Sequence, residues 1–530
     1  MKFTLYCLLL WLCSALLSVA TSGEDGKALY FDGKRSNGAI LRARVAGGAV
    51  LQGELAACVR CHRPSGYGVN ESDARTADIT AATLFNPLKP RRDYLMRSLY
   101  QERHGVLAQM SARTPRSRPA YQNASDILRA LREGVDTAGE KLSAVMPRYD
   151  IDIEDATALK AFLQTLGNEP SPGVDSETIH FATVVSEVDS ERKNTMLTVM
   201  RAFIELHNRE VAREKARADY SPLYKSELVH ARRYWRLHVW TLPEQRQNWP
   251  TLLEKLYSEQ PVFALLGGHV NGVWKPIHEF CEGARLPCLF PQTNWPVTTA
   301  GQYTLYLSQG IPGETQQIAD RLDEIDVRNI LQITGSDRNA AAAAVLLEKL
   351  AQERGFPIKT VSLTEYLNNK EQNQSQIDSA VLWFNASDFS RLSDSGVADK
   401  LPDSSFAAGS LLVNGNRSLP EGLPPNLNLT WQYALPGQEP PRLYRLRGWL
   451  AARQIHTTEE TTALNTYLAL DAVRHALVHA VDRYSRDYLI ETIEHEIENQ
   501  LNPGIYPRLS LGPGQRFAAK GARLRVRGRP

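Results

Sequence analysis

Cys58-Val59-Arg60-Cys61-His62 places two thiols three residues apart and follows the second directly with an imidazole. Thiols at that spacing can form a redox disulfide, supply half of a zinc site, or add to the two vinyl groups of a haem. Only the last use gives the adjacent histidine a role, as ligand to the iron. No second cysteine pair lies nearby to complete a zinc site. A redox pair usually opens a helix beside a strand, whereas this pentad runs into the Gly-rich polar segment Arg63-Pro64-Ser65-Gly66-Tyr67-Gly68. The residues therefore predict one covalent haem c per chain, attached at Cys58 and Cys61 with His62 as axial ligand.

A low-spin iron needs a second axial ligand, commonly a thioether. Met146 is the leading candidate, because Pro147 in Val145-Met146-Pro147-Arg148-Tyr149 stiffens an extended loop and denies the backbone a helix, so the sulfur can be held in one place. Met96, Met110, the more distant Met196, and His104 in the polar run Gln101-Glu102-Arg103-His104-Gly105 are the alternatives.

The elements that must position these groups are legible as periodicity. Ile153, Ala156, Leu159, Phe162, Leu163 and Leu166 recur at helical spacing and end at Gly167, and Ile127, Leu128 and Leu131 mark a second helix over residues 124–134. Residues 113–119, rich in Arg, Pro and Ser, read as a surface loop. Two prolines and flanking glycines in Gly167-Asn168-Glu169-Pro170-Ser171-Pro172-Gly173 mark a linker, taken as residues 167–176. Beyond it, short apolar runs at residues 179–185, 237–240, 262–266, 286–290, 330–333 and 381–384 alternate with helical stretches, which argues for parallel sheets covered by helices. The length of that region calls for two α/β lobes.

Lys2, the apolar run over residues 5–19 and the small-residue site Ser18-Val19-Ala20 predict a signal peptide over residues 1–20, with a run too short for a spanning helix. No later stretch is apolar enough to cross a bilayer. The mature protein is thus expected in the periplasm, where c-type haem attachment is completed. Of six cysteines, two leave with the signal and two go to haem. Cys281 and Cys288 remain, as a disulfide in an oxidising compartment or as two buried free thiols. With 61 Lys and Arg against 59 Asp and Glu, the net charge of +2 gives no steering toward nucleic acid. The arginines at 523, 525, 527 and 529 alternate with apolar residues, as on the solvated face of a last strand.

Residues 47–166 resemble a single-haem class I cytochrome c domain, through Ala56-Ala57-Cys58-Val59-Arg60-Cys61-His62-Arg63, Leu131-Arg132-Glu133-Gly134, Met146-Pro147-Arg148-Tyr149 and the closing helix. The resemblance implies an all-α fold over residues 21–166, with His62 and Met146 as axial ligands. Residues 177–530 resemble a type I periplasmic solute-binding protein of the branched-chain amino acid receptor kind. That likeness is carried by His180-Phe181-Ala182-Thr183-Val184-Val185, by Val262-Phe263-Ala264-Leu265-Leu266-Gly267-Gly268, by Ala284-Arg285-Leu286-Pro287-Cys288-Leu289-Phe290-Pro291, by residues 303–322 as the crossing into a second lobe and by residues 461–484 as a returning helix. It implies a bilobed α/β fold with a small ligand in the cleft. Asn271, in His269-Val270-Asn271-Gly272, and Thr293, in Pro291-Gln292-Thr293-Asn294, fall where the family's ligand-holding residues would be.

No Gly-x-x-x-x-Gly-Lys loop, Gly-x-Ser-x-Gly elbow or His-Glu-x-x-His motif occurs in residues 177–530, and His475 and His479 read as a polar helix stripe. The chain is therefore read as an electron carrier joined to a binding module rather than as a catalyst. Its expected partners are a periplasmic dehydrogenase or another cytochrome, together with a small-molecule ligand. A haem-based sensor, or a haem peroxidase or reductase, is the alternative.

Overall fold

The structure, a computed structural model, describes residues 23–71, 74–88, 117–167, 171–220, 232–299, 301–325, 327, 329–369, 377–413, 419–421, 423–424, 427–433, 443–480, 483–499, 505–506, 508–520 and 523–525. The predicted signal peptide, most of the 113–119 loop, Met96, His104, Met110 and residues 526–530 lie outside the described residues. The chain divides into two compact units, Met1–Pro170 and Ser171–Pro530, a boundary that falls within the 167–176 stretch. No helix among the described residues is long and apolar enough to cross a membrane.

In the first unit the two helices expected from periodicity are set by their caps. Asn123 accepts from the Asp126 amide at 3.0 Å and opens Ala124–Glu133, and Gly134, at φ 72°, closes it in the left-handed conformation that glycine tolerates. Asp152 accepts from the amides of Glu154 and Asp155, both at 3.0 Å, and opens Ile153–Leu163. Ile127, Leu131, Ala156, Leu159 and Leu163 from these helices bury against Tyr30 and Cys58. Asp155 is also buried. Burial pushes its carboxyl up, but the Ser36 amide, the Arg35 guanidinium and the Asp152 amide together hold it below the usual range, and these bonds tie the N-terminal segment to the closing helix.

The expectation of an all-α unit is corrected by the strands β1 (Arg42–Arg44), β2 (Val50–Gln52), β3 (Asn70–Glu71), β4 (Ala74–Arg75) and β5 (Arg148–Tyr149). β2, β1 and β5 form one antiparallel sheet in that order, and β3 pairs with β4. Each is two or three residues long. In β1 only Ala43 faces inward, so an apolar pattern has too few positions in which to appear. Arg44 opposite Arg148 and Ala43 opposite Tyr149 tether the loop that carries Met146.

The second unit has two sheets, one parallel and one parallel but for its last strand. β6 (Thr178–Ser186), β7 (Tyr234–Leu242), β8 (Ala264–Leu266), β9 (Cys288–Leu289) and β10 (Thr304–Leu305) lie in the order β10-β9-β8-β6-β7, every pair parallel. β6 is central, and its apolar run is covered on both faces, as a parallel strand requires. Phe181 and Val185 pack under the helices Glu191–Tyr220, Glu460–Ala480 and Arg486–Asn499. Ala182 and Val184 face Trp249, Trp274 and Ile277 of the helices Trp249–Glu259 and Lys275–Gly283 and the turn before the latter. Met196, one of the alternative sixth-ligand candidates, is fully buried in this first-lobe core, where packing occupies it.

The second lobe holds β11 (Ile330–Thr334), β12 (Ile358–Ser362), β13 (Ser379–Trp383), β14 (Ser404–Ala408), β15 (Leu427–Trp431) and β16 (Arg523–Arg525), in the order β12-β11-β13-β14-β15-β16. All pair in parallel except β15 with β16. The chain enters this lobe after β10 through the helix Gly310–Glu324, returns to the first lobe for Glu460–Ala480, and crosses again to reach β16. Where it crosses, the segments lie side by side: the Ala518 amide donates to Tyr306 O at 2.9 Å and the Ala519 amide to Leu307 O at 2.7 Å.

Candidate functional site

In the pentad, Cys58 lies immediately before the short helix Val59–His62. Cys58 is buried, Cys61 is exposed, and both are free thiols. One helical turn sets His62 on the buried side. Its Nδ1 lies 2.9 Å from the carbonyl of Ala77, which fixes the ring and leaves Nε2 as the nitrogen available to a ligand. Burial pushes the imidazole below its ordinary pKa, against the opposing effects of Ala77 and Asp78, so the ring is neutral as an iron ligand must be. Burial also pushes the Cys58 thiol up to about 12, unlike the depressed thiol of a redox pair.

Arg63 leaves the helix at φ 65°, and its carbonyl accepts from the Tyr30 hydroxyl at 2.6 Å. Met146 is half-buried and packs against the apolar cluster that includes Cys58. Its backbone is pinned by the Arg148 guanidinium on its carbonyl at 2.6 Å. Tyr149, from β5, packs on the same cluster, and burial, with the nearby Cys58 and Cys61, raises its phenol. The structure thus gathers the pentad and the Met146 loop around one apolar core, and this donor set fits a haem c: two thiols, one neutral imidazole with a fixed outer nitrogen, and one thioether. Among the described residues, no cluster of three or more His, Cys, Asp or Glu side chains is arranged to hold a metal ion. His475 and His479 each have a separate partner, Asp471 and Glu496 respectively.

In the second unit the carboxyl ends of both sheets face one cleft, the position at which open α/β sheets bind ligands. A chamber of about 450 Å³ is lined by Ser186 at the end of β6, His269 and Asn271 after β8, Gln292 and Thr293 after β9, and Asp337 and Asn339 after β11. Arg192, Gln292, Thr293 and Asn294 also border a smaller chamber of about 90 Å³, lined by Ser410, Trp431, Tyr433, Thr462, Asn465 and Tyr506. The lobes meet at the larger chamber, where Trp295 Nε1 donates to Asn339 Oδ1 at 2.8 Å.

Asn271 and Thr293 both line the cleft. The Asn271 amide donates to Ser186 Oγ at 2.6 Å, and Thr293 Oγ1 accepts from the Trp295 amide at 3.1 Å. His269 is pushed down to about 4 by burial and by Arg192, so it is a neutral lining group. Cys281 and Cys288, where a bridge was one expectation, are free buried thiols in the structure, hydrogen-bonded to each other. They pin the end of Lys275–Gly283 to the start of β9.

Sequence reasoning missed Arg192, Gln292, Trp431, Gln432 and Asn465. Arg192 stands in the first turn of Glu191–Tyr220 and Gln292 follows β9 by three residues, so visible elements point to both, whereas Trp431 ends β15 and Gln432 follows it, on a strand without an apolar run. Asn465 sits within a helix and carries no such signal.

No protein-family model matches the chain, and no curated protein matches it. Among solved structures it is similar to a solute-binding protein of an ABC transporter from Rhodopseudomonas palustris BisB5, in complex with 3,4-dihydroxybenzoic acid. The identity is 12%, the TM-score 0.46, and the match covers 66% of this chain and 92% of that one. It is also similar to a leucine-binding protein from Thermotoga maritima MSB8, at 10% identity and TM-score 0.43 over 64% and 93% of the two chains. A third is an ABC transporter substrate-binding protein from Desulfitobacterium hafniense in complex with Leu, at 14% identity and TM-score 0.42 over 66% and 97%.

Proposed function

We propose that the protein is an exported c-type cytochrome, in which one covalent haem on Cys58 and Cys61 carries electrons and residues 171–530 bind a small molecule in the cleft between their lobes. The observation that carries this reading is the buried, neutral His62 ring with Nδ1 fixed to Ala77 O, directly after two thiols at haem spacing. When bound, the haem supplies a one-electron iron couple. The chain's residues do the rest: His62 presents Nε2, the Arg148 contact holds the Met146 loop, and the surrounding apolar side chains exclude water.

A histidine and a thioether raise the potential of an iron centre, which suits a carrier that takes electrons from a periplasmic dehydrogenase and passes them to another cytochrome. The signal-like N-terminus supports export to the periplasm. The cleft supports ligand recognition through its polar lining at the strand ends.

Spectroelectrochemistry of the exported, matured protein tests the carrier role. One reversible one-electron couple per chain is expected, and the absence of any couple would remove it.

A further inference from the structure

Five neutral side chains on the wall of the chamber of about 450 Å³ each spend part of their hydrogen-bonding capacity on the protein and keep the rest. Ser186 Oγ accepts from the Asn271 amide at 2.6 Å, and Thr293 Oγ1 accepts from the Trp295 amide at 3.1 Å. Asn339 Oδ1 accepts from the Trp295 indole at 2.8 Å. These partners can only donate, so the two hydroxyl hydrogens and the Asn339 amide NH2 remain as donors, with no further partner among the described residues. His269 Nδ1 faces the carbonyl of Gln292 at 3.2 Å, and Gln292 Nε2 donates to the carbonyl of Thr462 at 3.1 Å. A carbonyl can only accept, which leaves His269 Nε2 and Gln292 Oε1 as acceptors. The role of each group is fixed by its bond to the protein before any ligand arrives, which lowers the ordering cost of binding.

The charges on the same wall are already met. Arg192 pairs with Glu459 at 3.2 Å, and Lys193 with Asp189 at 3.4 Å and with the carbonyls of Ser186, Glu187 and Val188. Arg338 stands beside Asp337, whose carboxylate holds the Asn339 amide at 2.6 Å. The chamber therefore presents no uncompensated charge to draw in an anion or a cation.

Three donors and two acceptors come from both lobes and from the ends of β6, β8, β9 and β11, so a ligand must offer polar groups along more than one edge. A hydroxyl donates and accepts at one atom, so a molecule carrying several meets donors and acceptors in any alternation. The polar groups of a simple neutral amide sit at one end and cannot.

We infer that the cleft takes a small neutral polyhydroxylated molecule, a monosaccharide or an open-chain polyol, held by hydrogen bonds from Ser186, His269, Gln292, Thr293 and Asn339. This inference rests on the reading of the second unit as a small-molecule binder and specifies the class of molecule it takes.

The test is calorimetric titration of the full-length, matured protein with D-glucose, D-galactose, D-ribose, D-mannitol and glycerol, beside L-leucine as a zwitterion and 3,4-dihydroxybenzoate as an anion. At least one neutral probe is expected to bind about tenfold or more tightly than either charged one, with an affinity that changes less than about twofold between about 0.05 and 0.5 M salt, since no net charge is there to be screened. Thr293→Val and Ser186→Ala, each checked for an unchanged melting transition, are expected to weaken the best neutral probe about tenfold, the loss of one hydrogen bond that leaves its partner unpaired. Should either variant melt early, deoxy analogues of the best probe on the parent protein read the same bonds, and removal of at least one hydroxyl is expected to cost about tenfold. Leucine or 3,4-dihydroxybenzoate binding as tightly as the best neutral probe, or a neutral probe indifferent to both substitutions and to every deoxy change, would overturn the ligand class and leave a binding cleft. Failure of every probe to bind would overturn both the class and the binder reading.

Discussion

Replacing Met146 with alanine is expected to convert a six-coordinate low-spin haem spectrum into a high-spin one, remove the far-red band that marks sulfur ligation, and open the iron to cyanide or carbon monoxide. The midpoint potential should fall by tenths of a volt, on the scale of the roughly 0.8 V over which axial ligands move haem potentials. The change is confined to the thioether. Arg148 Nη1 bonds the backbone carbonyl at position 146, and β5 pairs with β1, so the loop keeps its anchors after the substitution. Haem content should be unchanged, because Cys58, Cys61 and His62 stand outside that loop. Optical spectra of the oxidised and reduced variant check this. An unaltered sulfur band would assign the sixth position to another thioether.

The second large effect concerns Glu314, fully buried in the helix Gly310–Glu324 at the entry to the second lobe. Its carboxyl accepts from Ser410 Oγ at 2.5 Å and from the Ser410 amide at 3.1 Å. Ser410 Oγ accepts from Gln432 Nε2 at 2.7 Å, and Gln432 Oε1 accepts from Ser308 Oγ, so the chain of bonds runs from the second-lobe helix to the crossing segments. Burial pushes the carboxyl up to about 8, against the lowering effect of the Ser410 and Gly409 bonds.

In the unfolded chain the same group titrates near its ordinary value of 4.5. Between those two values the folded state holds a proton that the unfolded state has lost, so stability falls as pH rises through the window, by about 1.4 kcal/mol per pH unit. Below 4.5 both states are protonated and the loss is absent; above about 8 it is complete. Glu314→Gln carries a neutral amide at every pH. The variant is expected to match the parent near pH 5 and to melt several degrees higher near pH 8, on the basis of a difference of a few kcal/mol (~3). Parallel melting curves for the two proteins across that range would contradict the assignment.

Much of this architecture is legible in the residues because the relevant signals are local. Asn123, Asp152 and Gly134 declare helix ends, and the apolar run of β6 declares a strand covered on both faces. The strands β14 and β15 escape the same reading because their buried positions include polar residues. Asn428 Nδ2 donates to Ser405 O at 3.1 Å and Thr430 Oγ1 to Ala407 O at 3.3 Å, so these side chains are satisfied within the sheet and leave no apolar run to see. The small sheet β2-β1-β5 escapes because strands of two or three residues hold less than one full alternation of pattern.

The cleft was half visible. Asn271 and Thr293 follow apolar strands that the sequence shows, whereas Trp431 ends β15 and Gln432 follows it, a strand the sequence hides, and Asn465 is brought to them only by the returning helix.

The central claim is the covalent haem, and intact mass spectrometry of the exported protein under denaturing conditions tests it most directly. The account predicts a mass equal to the processed chain plus one haem, retained after acid and organic solvent, and lost when Cys58 and Cys61 are both replaced by alanine. A colourless protein of apo mass from a host competent in haem c attachment would contradict it.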